Sequence, residues 1–423
     1  MVTYNPAEKV VNPMHPPFTG SALRHPSFTR YWVSRTLSST SFQMLSVAIG
    51  WQMYTLTHDA FSLGLVGLAQ FLPMVLLTLI VGHAADRFDR RRIVFLCQIV
   101  EGVIAALLLY GNLTSRVERG QILLAAAVIG ACRAFEGPSS SALLPQLVPK
   151  ALIQRAVAWT TSAGQASQIL GPTLGGVLYS FGPVSVYLTA ALALLAAGIL
   201  TFLIRMERIV RKPEPAPIRS LFTGIVFVWR NKVILGTISL DLFAVLLGGA
   251  TALLPIFAQD ILHTGPWGLG LMRTAPAVGA LLMSMGFAYF PLKKAAGPML
   301  FGALAVFGAA TMLFALSTHL PVSLLALLLV GASDVVSVVI RSSLVQLQTP
   351  DEMRGRVNAV NSLFVGTSNQ LGEFESGMLA GFVGPVLAAF IGGLGTLAVA
   401  GLWMIMFPSL RRLKTLTGSE RPG

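Results

Sequence analysis

Charged residues are scarce in this chain. They make up 11% of its 423 residues, while 54% are hydrophobic and the mean hydropathy is +0.72. A soluble domain is nearer a quarter charged, so a membrane-embedded chain is the class that fits. Acidic residues are the scarcer sign, 17 Asp and Glu against 30 Lys and Arg, for a formal charge of +13. That excess does not point to nucleic acid, because the basic residues fall in short clusters between apolar runs. Cysteine is limited to Cys97 and Cys132, both inside apolar runs, which argues against a structural disulfide. No Gly-x-x-x-x-Gly-Lys-Ser/Thr sequence is present, so ATP is not the direct energy source. Metal-ligand clusters are missing too. His25, His58, His83, His263 and His319 are scattered near ends and loops, and an enzyme is the least favoured class. Residues 1–27 are polar and Pro-rich with no apolar h-region, so no cleavable signal peptide is expected.

What is present is a series of long apolar runs. A helix needs about 20 apolar residues to cross the hydrocarbon core. Twelve such spans are predicted near 29–57, 61–82, 91–111, 120–138, 151–180, 183–205, 233–259, 266–290, 297–317, 320–341, 355–382 and 384–407. Backbone polar groups in lipid must be satisfied internally, which forces these segments to be helices. The links after spans 2, 4, 6, 8 and 10 carry Arg87, Arg90 to Arg92, Lys150, Arg155, Arg205, Arg208, Arg211, Lys212, Arg219, Lys293, Lys294, Arg354 and Arg356. The opposite links carry only Arg116 and Arg119. The positive-inside rule then places both termini in the cytoplasm.

The expected organisation is a cytoplasmic segment 1–27, a six-helix half 28–205, a linker 206–231, a second half 232–408 and a tail 409–423. Within the linker, Ile218 to Arg230 is a candidate surface amphipathic helix. The halves are related in sequence. Pro149 falls on Pro350, Arg155 on Arg356, Gly171 on Gly372 and Gly176 on Gly377 at an offset of 201, and Gly67 and Pro73 fall on Gly270 and Pro276 at 203. Such a repeat is the mark of a two-half transporter with its substrate site near mid-membrane.

Three motifs sharpen this reading. The link Gly82-His-Ala-Ala-Asp86-Arg87-Phe-Asp89-Arg90-Arg91-Arg92 resembles the loop signature of the major facilitator superfamily, with Ala84 for Leu and Asp89 for the second Gly. Arg133-Ala-Phe-Glu136-Gly137 resembles that family's Arg-x-x-Gln-Gly, with Glu for Gln. Ser167-Gln-Ile-Leu-Gly171-Pro172-Thr-Leu-Gly175-Gly176 resembles its Gly-x-x-x-Gly-Pro-x-x-Gly-Gly antiporter motif, with Ser for the first Gly. The resemblance to the superfamily covers residues 28–408; more locally, Phe61 to Arg92 and the run Arg354-Gly-Arg-Val-Asn-Ala-Val-Asn-Ser-Leu look like the bacterial branch that holds siderophore and macrolide exporters. It implies an all-α fold of twelve membrane helices in two pseudo-symmetric halves, a monomer in a bacterial cytoplasmic (inner) membrane, and export by antiport. It further implies that Gly82, Asp86, Arg87, Arg90 and Arg91 form a gating latch between the halves, with simple positive-inside anchoring as the alternative. Gly171, Pro172, Gly175 and Gly176 are expected to give a close, stiff contact in the outer half.

Charges inside the apolar runs are costly unless paired, and so mark function. They are Arg35, Glu101, Arg133, Glu136, Asp241, Arg273, Asp334, Arg341, Glu373 and Glu375. Arg133 and Glu136 are three apart and can pair on one helix face. Proton-coupling candidates are Glu136 beside Arg133, then Asp241 and Asp334, against a static ion pair as the alternative. Glu101 is expected to be a structural partner of a neighbouring helix. Substrate-cavity candidates are Arg35, Gln43, Trp51, Gln70, Gln165, Phe243, Arg273, Asn361, Phe364 and Glu373. Aromatics with amides and cations suit an amphipathic solute. The leading expectation is a proton-coupled siderophore exporter, driven by the proton gradient and using no cofactor. A multidrug or macrolide antiporter is the runner-up, and a nutrient symporter ranks lower. Expected partners are lipid, protons and a small molecule.

Overall fold

A computed structural model describes residues 22–87, 89–205, 219–290 and 295–413. The expected segments 1–21, most of the linker, and the tail from 414 on lie outside them, as do Lys293 and Lys294. The described chain is helical, and its order follows the apolar runs. The first half comprises α1 (Pro26–Thr57), α2 (Ala60–Arg87), α3 (Arg90–Leu113), α4 (Arg119–Leu143), α5 (Ile153–Ser180) and α6 (Pro183–Phe202). A linker helix α7 (Arg219–Arg230) precedes the second half. That half comprises α8 (Lys232–Gly248), α9 (Gly265–Tyr289), α10 (Ala296–Leu316), α11 (Leu320–Gln348), α12 (Asp351–Val383) and α13 (Pro385–Met406), with a last turn α14 (Pro408–Arg411).

Among the described residues, nine of these helices are long and apolar enough to cross a membrane. The three that fall short, α1, α5 and α12, are the Ser-, Thr-, Gln- and Asn-bearing helices that face the other half or the interior. Twelve spans in two pseudo-symmetric halves result.

Three expectations are adjusted. α2 runs on to Arg87, so Asp86 and Arg87 end a helix and do not sit in a free link. α4 continues through Pro138 to Leu143. Span 7 is broken: α8 stops at Gly248, and the chain resumes as a 3-10 turn Ala250–Leu253, one α-turn and a π-turn Phe257–Ile261. Gly248-Gly249 and Pro255 supply the reason, since glycine weakens a helix and proline removes a backbone donor.

Helix starts are capped where the chain turns sharply. Asp89 accepts from the Arg91 backbone N–H at 3.0 Å and so caps α3, which accounts for the departure from the family's glycine. Asp59 accepts from the Phe61 and Ser62 backbone N–H groups and from Ser62 Oγ at 2.7 Å. Burial pushes the Asp59 carboxyl up, but these hydrogen bonds outweigh it and hold the group below its usual range. α7 lays Ile225 and Val228 against Ile234, Ile238, Val345, Val357 and Val360, and leaves Trp229 exposed.

The halves meet along two glycine seams. A Cβ on Gly270 of α9 would lie 2.7 Å from the Pro172 carbonyl oxygen of α5. One on Gly377 of α12 would lie 2.5 Å from the Gly64 Cα of α2. At the same end, Tyr54 donates a hydrogen bond to Asp260, and Thr173 and Thr274 bond at 2.7 Å. These contacts close the two halves on each other at this end.

Candidate functional site

The break in span 7 opens a cavity of about 250 Å3 in the second half. Gly248, Gly249, Ala250 and Thr251 form one wall, and Phe307, Thr311 and Phe314 of α10 form another. Its ionisable groups are Arg273 on α9, Asp334 on α11 and Glu373 on α12, with Asn369 one turn before Glu373. Discontinuous spans at cavities are expected in transporters, because the freed backbone groups need a polar neighbour.

The three charges differ in what they meet. Arg273 donates from Nη1 to Ser46 Oγ on α1, across the halves, and attracts Glu373 through space. Glu373 presses on α2, where a Cβ at Gly67 would lie 3.0 Å from its own Cβ. Asp334 has no hydrogen-bond or ion-pair partner among the described residues. Behind it, a void of about 10 Å3 bounded by Ser333 and Ser337 leads to Asp241 on α8, close to the least space a water needs. Asp241 is ion-paired with Arg341 of α11, and both are buried.

The first half holds a different arrangement. Arg133 on α4 pairs with Glu101 of α3 at 3.1 Å and with Glu136 one turn on at 3.0 Å. Its guanidinium also donates to the Ser38 carbonyl and lies 4.3 Å over the Phe42 ring. The other Glu136 oxygen accepts from Ser38 Oγ at 2.8 Å and Gln98 Nε2 at 3.0 Å. Gln98 in turn accepts from Thr201 of α6 at 2.8 Å. Four helices are thus tied by one packed network, and Glu101 is a partner within it.

The internal repeat relates the two sites. At the offsets of 203 and 201, Ser38 falls on Asp241, Glu136 on Ser337, and Arg133 on Asp334. The Ser38–Glu136 bond of the first half therefore recurs as the Ser337–Asp241 contact at 3.5 Å, with acid and hydroxyl exchanged between helices. The central position carries a cation in one half and an acid in the other.

Of the predicted substrate residues, Arg273 and Glu373 line the cavity. Arg35 instead donates to Ser140 of α4 at 2.7 Å. Gln43 packs under Gly171, and the Gln70 backbone packs against Gly130 of α4. Trp51 is a core residue beside Tyr179, ring centroids 6.5 Å apart, and Phe243 lies against Trp403 of α13 at 5.4 Å. Gln165 is exposed, Asn361 buries its Oδ1 without a hydrogen-bond partner among the described residues, and Phe364 packs on the cluster under α7.

In the gating signature, the side chains of Gly82, Asp86 and Arg87 lie outside the described residues. Arg90 donates to the Ala142 carbonyl at 3.3 Å and Arg91 to the Ile204 carbonyl at 2.6 Å, both within the first half. In the antiporter motif, Gly171 and Gly175 admit Gln43 and Met44 of α1, while Gly176 meets Pro266 and Gly270 across the halves. Thr251, Phe307, Thr311 and Phe314 were not predicted. The signal that points to them is the Gly248-Gly249 pair inside an otherwise apolar run.

The enterobactin exporter EntS of Escherichia coli O1:K1 / APEC is 25% identical over 401 residues, covering 92% of this chain and 94% of that protein. EntS of Citrobacter koseri matches to the same extent. Among solved structures, a mutant of the nucleoside transporter NupG has a TM-score of 0.71 at 13% identity, covering 90% of this chain and all (100%) of that one. A bacterial homologue of the iron transporter ferroportin, in an inward-facing state, has a TM-score of 0.68 at 17% identity, with 91% and 99% covered. The sequence profile of the Major Facilitator Superfamily matches residues 31–373, and the chain belongs to that family of membrane transporters.

Proposed function

We propose that this chain is a proton-coupled exporter of a small amphipathic solute in a bacterial cytoplasmic membrane. The carrying observation is Asp334, a carboxyl that faces the cavity beside a broken span and has no partner among the described residues. Such a group can take up and release a proton as the cavity changes sides. Glu136, the leading candidate by sequence, is held by Arg133, Ser38 and Gln98, and suits a rigid brace between α1, α3 and α4 better than a carrier. With the basic links placed in the cytoplasm, the glycine seams close the outside. The Gly171-Pro172 seam supports antiport over symport. One charge crossing ~150 mV is worth roughly 3.5 kcal/mol, enough to sustain a gradient of about 300-fold.

Likeness to enterobactin exporters supports a siderophore as solute. The unpaired cavity acid favours the second reading, efflux of drugs or macrolides. Mass spectrometry of medium and cytosol from iron-starved cells, with and without the gene, separates them. Loss of a chelator from the medium with build-up inside is the expected siderophore result. An unchanged chelator profile rejects that solute and directs the test to drug susceptibility.

A further inference from the structure

The cavity of the second half has apolar, aromatic walls but an unbalanced charge. Arg273 is turned to Ser46 and Glu373, and Arg341 is taken by Asp241. Asp334 is left facing the cavity with no cation. The charged groups around it are Asp241 of α8 with its ion-pair partner Arg341, Arg273 of α9 and Glu373 of α12, while α10 offers only uncharged residues. Three carboxylates against two guanidiniums leave one negative charge. α8 also ends at this wall, at Gly248, and a helix C-terminus carries partial negative charge. A cation is what such a site lacks.

We propose that this cavity is a subsite for a small organic cation, an arylalkylammonium, with its charge on Asp334 and its apolar body against Phe307 and Phe314. Ammonium groups are also attracted by aromatic faces. A cavity of about 250 Å3 with Phe307 and Phe314 on its wall has room for a single substituted ring. A tris-catechol chelate is anionic, so the unpartnered Asp334 carboxylate disfavours it. The inference rests on the export reading and narrows its solute class.

The test uses the full chain in lipid nanodiscs and two radiolabelled probes of similar shape, benzyltrimethylammonium and phenylacetate. The wild type is expected to bind the cation at least about tenfold more tightly than the anion. Asp334→Asn is expected to weaken cation binding by about tenfold, and Asp334→Glu to restore most of it. Equal or tighter binding of phenylacetate, or unchanged cation binding by Asp334→Asn, overturns the subsite. The wild-type preference needs no variant, so a poorly folding Asp334→Asn protein leaves the test intact. Proteoliposomes with an imposed pH gradient keep the two readings apart. Gradient-driven movement of a tris-catechol chelate without cation binding overturns the subsite and leaves export standing. Cation binding without any gradient-driven movement supports the subsite and overturns export.

Discussion

Glu101, Glu136 and Asp241 each meet a guanidinium inside the membrane. Removing one member of such a buried pair strands a charge, which costs about 3–5 kcal/mol, whereas replacing both with apolar residues is close to neutral. Arg341→Met is therefore expected to lower the thermal midpoint of the purified protein sharply, and the Asp241→Leu, Arg341→Met double variant to recover most of the loss. A double variant no more stable than the single one would show that the pair is not the cause. The residues themselves were legible, because a charge in an apolar run stands out. Their pairing was legible only for Arg133 and Glu136, which share one helix face. Glu101 and Arg341 find their partners on other helices, which spacing along the chain does not reveal.

At the level of elements, the two glycine seams decide how tightly the molecule closes. A Cβ at Gly377 meets Gly64 backbone atoms at 2.5 and 2.6 Å, which cannot move aside as a side chain can. Overpacking of this kind costs about 1–3 kcal/mol. Gly377→Val is expected to hold the closed end ajar and slow transport by about tenfold. The check is maleimide labelling of a cysteine placed at Ser376, buried next to Gly377, with Cys97 and Cys132 buried and silent. Unchanged labelling and transport would mean the seam tolerates the extra volume. The α5 motif pointed to one seam in advance. The α2–α12 seam has no comparable motif, and the break in span 7 was missed because hydropathy treats Gly248-Gly249 as apolar.

Across the whole molecule, the halves are closed on each other at one end, as one pose of alternating access requires. Which side is which depends on the basic links. In intact cells, a cysteine at Ser115 is expected to react with an impermeant maleimide, and one at Arg356 only after lysis. The reverse pattern would invert the assignment and put the glycine seams on the cytoplasmic side. The repeat gives the halves the same helix order and matching contacts. It does not give them the same chemistry, since Arg133 anchors a closed network where Asp334 faces a cavity.

The amino-acid sequence by itself determined the class, the twelve spans, the two-half plan and the family. Each of these follows from a local rule: apolar length against bilayer thickness, basic links against topology, and residue identity along a repeat. Only the tertiary structure decided which acid is paired and which is open, where span 7 breaks, and that the cavity lies within the second half. Those outcomes depend on contacts between helices far apart in the chain. In a medium with little water, the nearest counter-charge sets what a carboxylate can do.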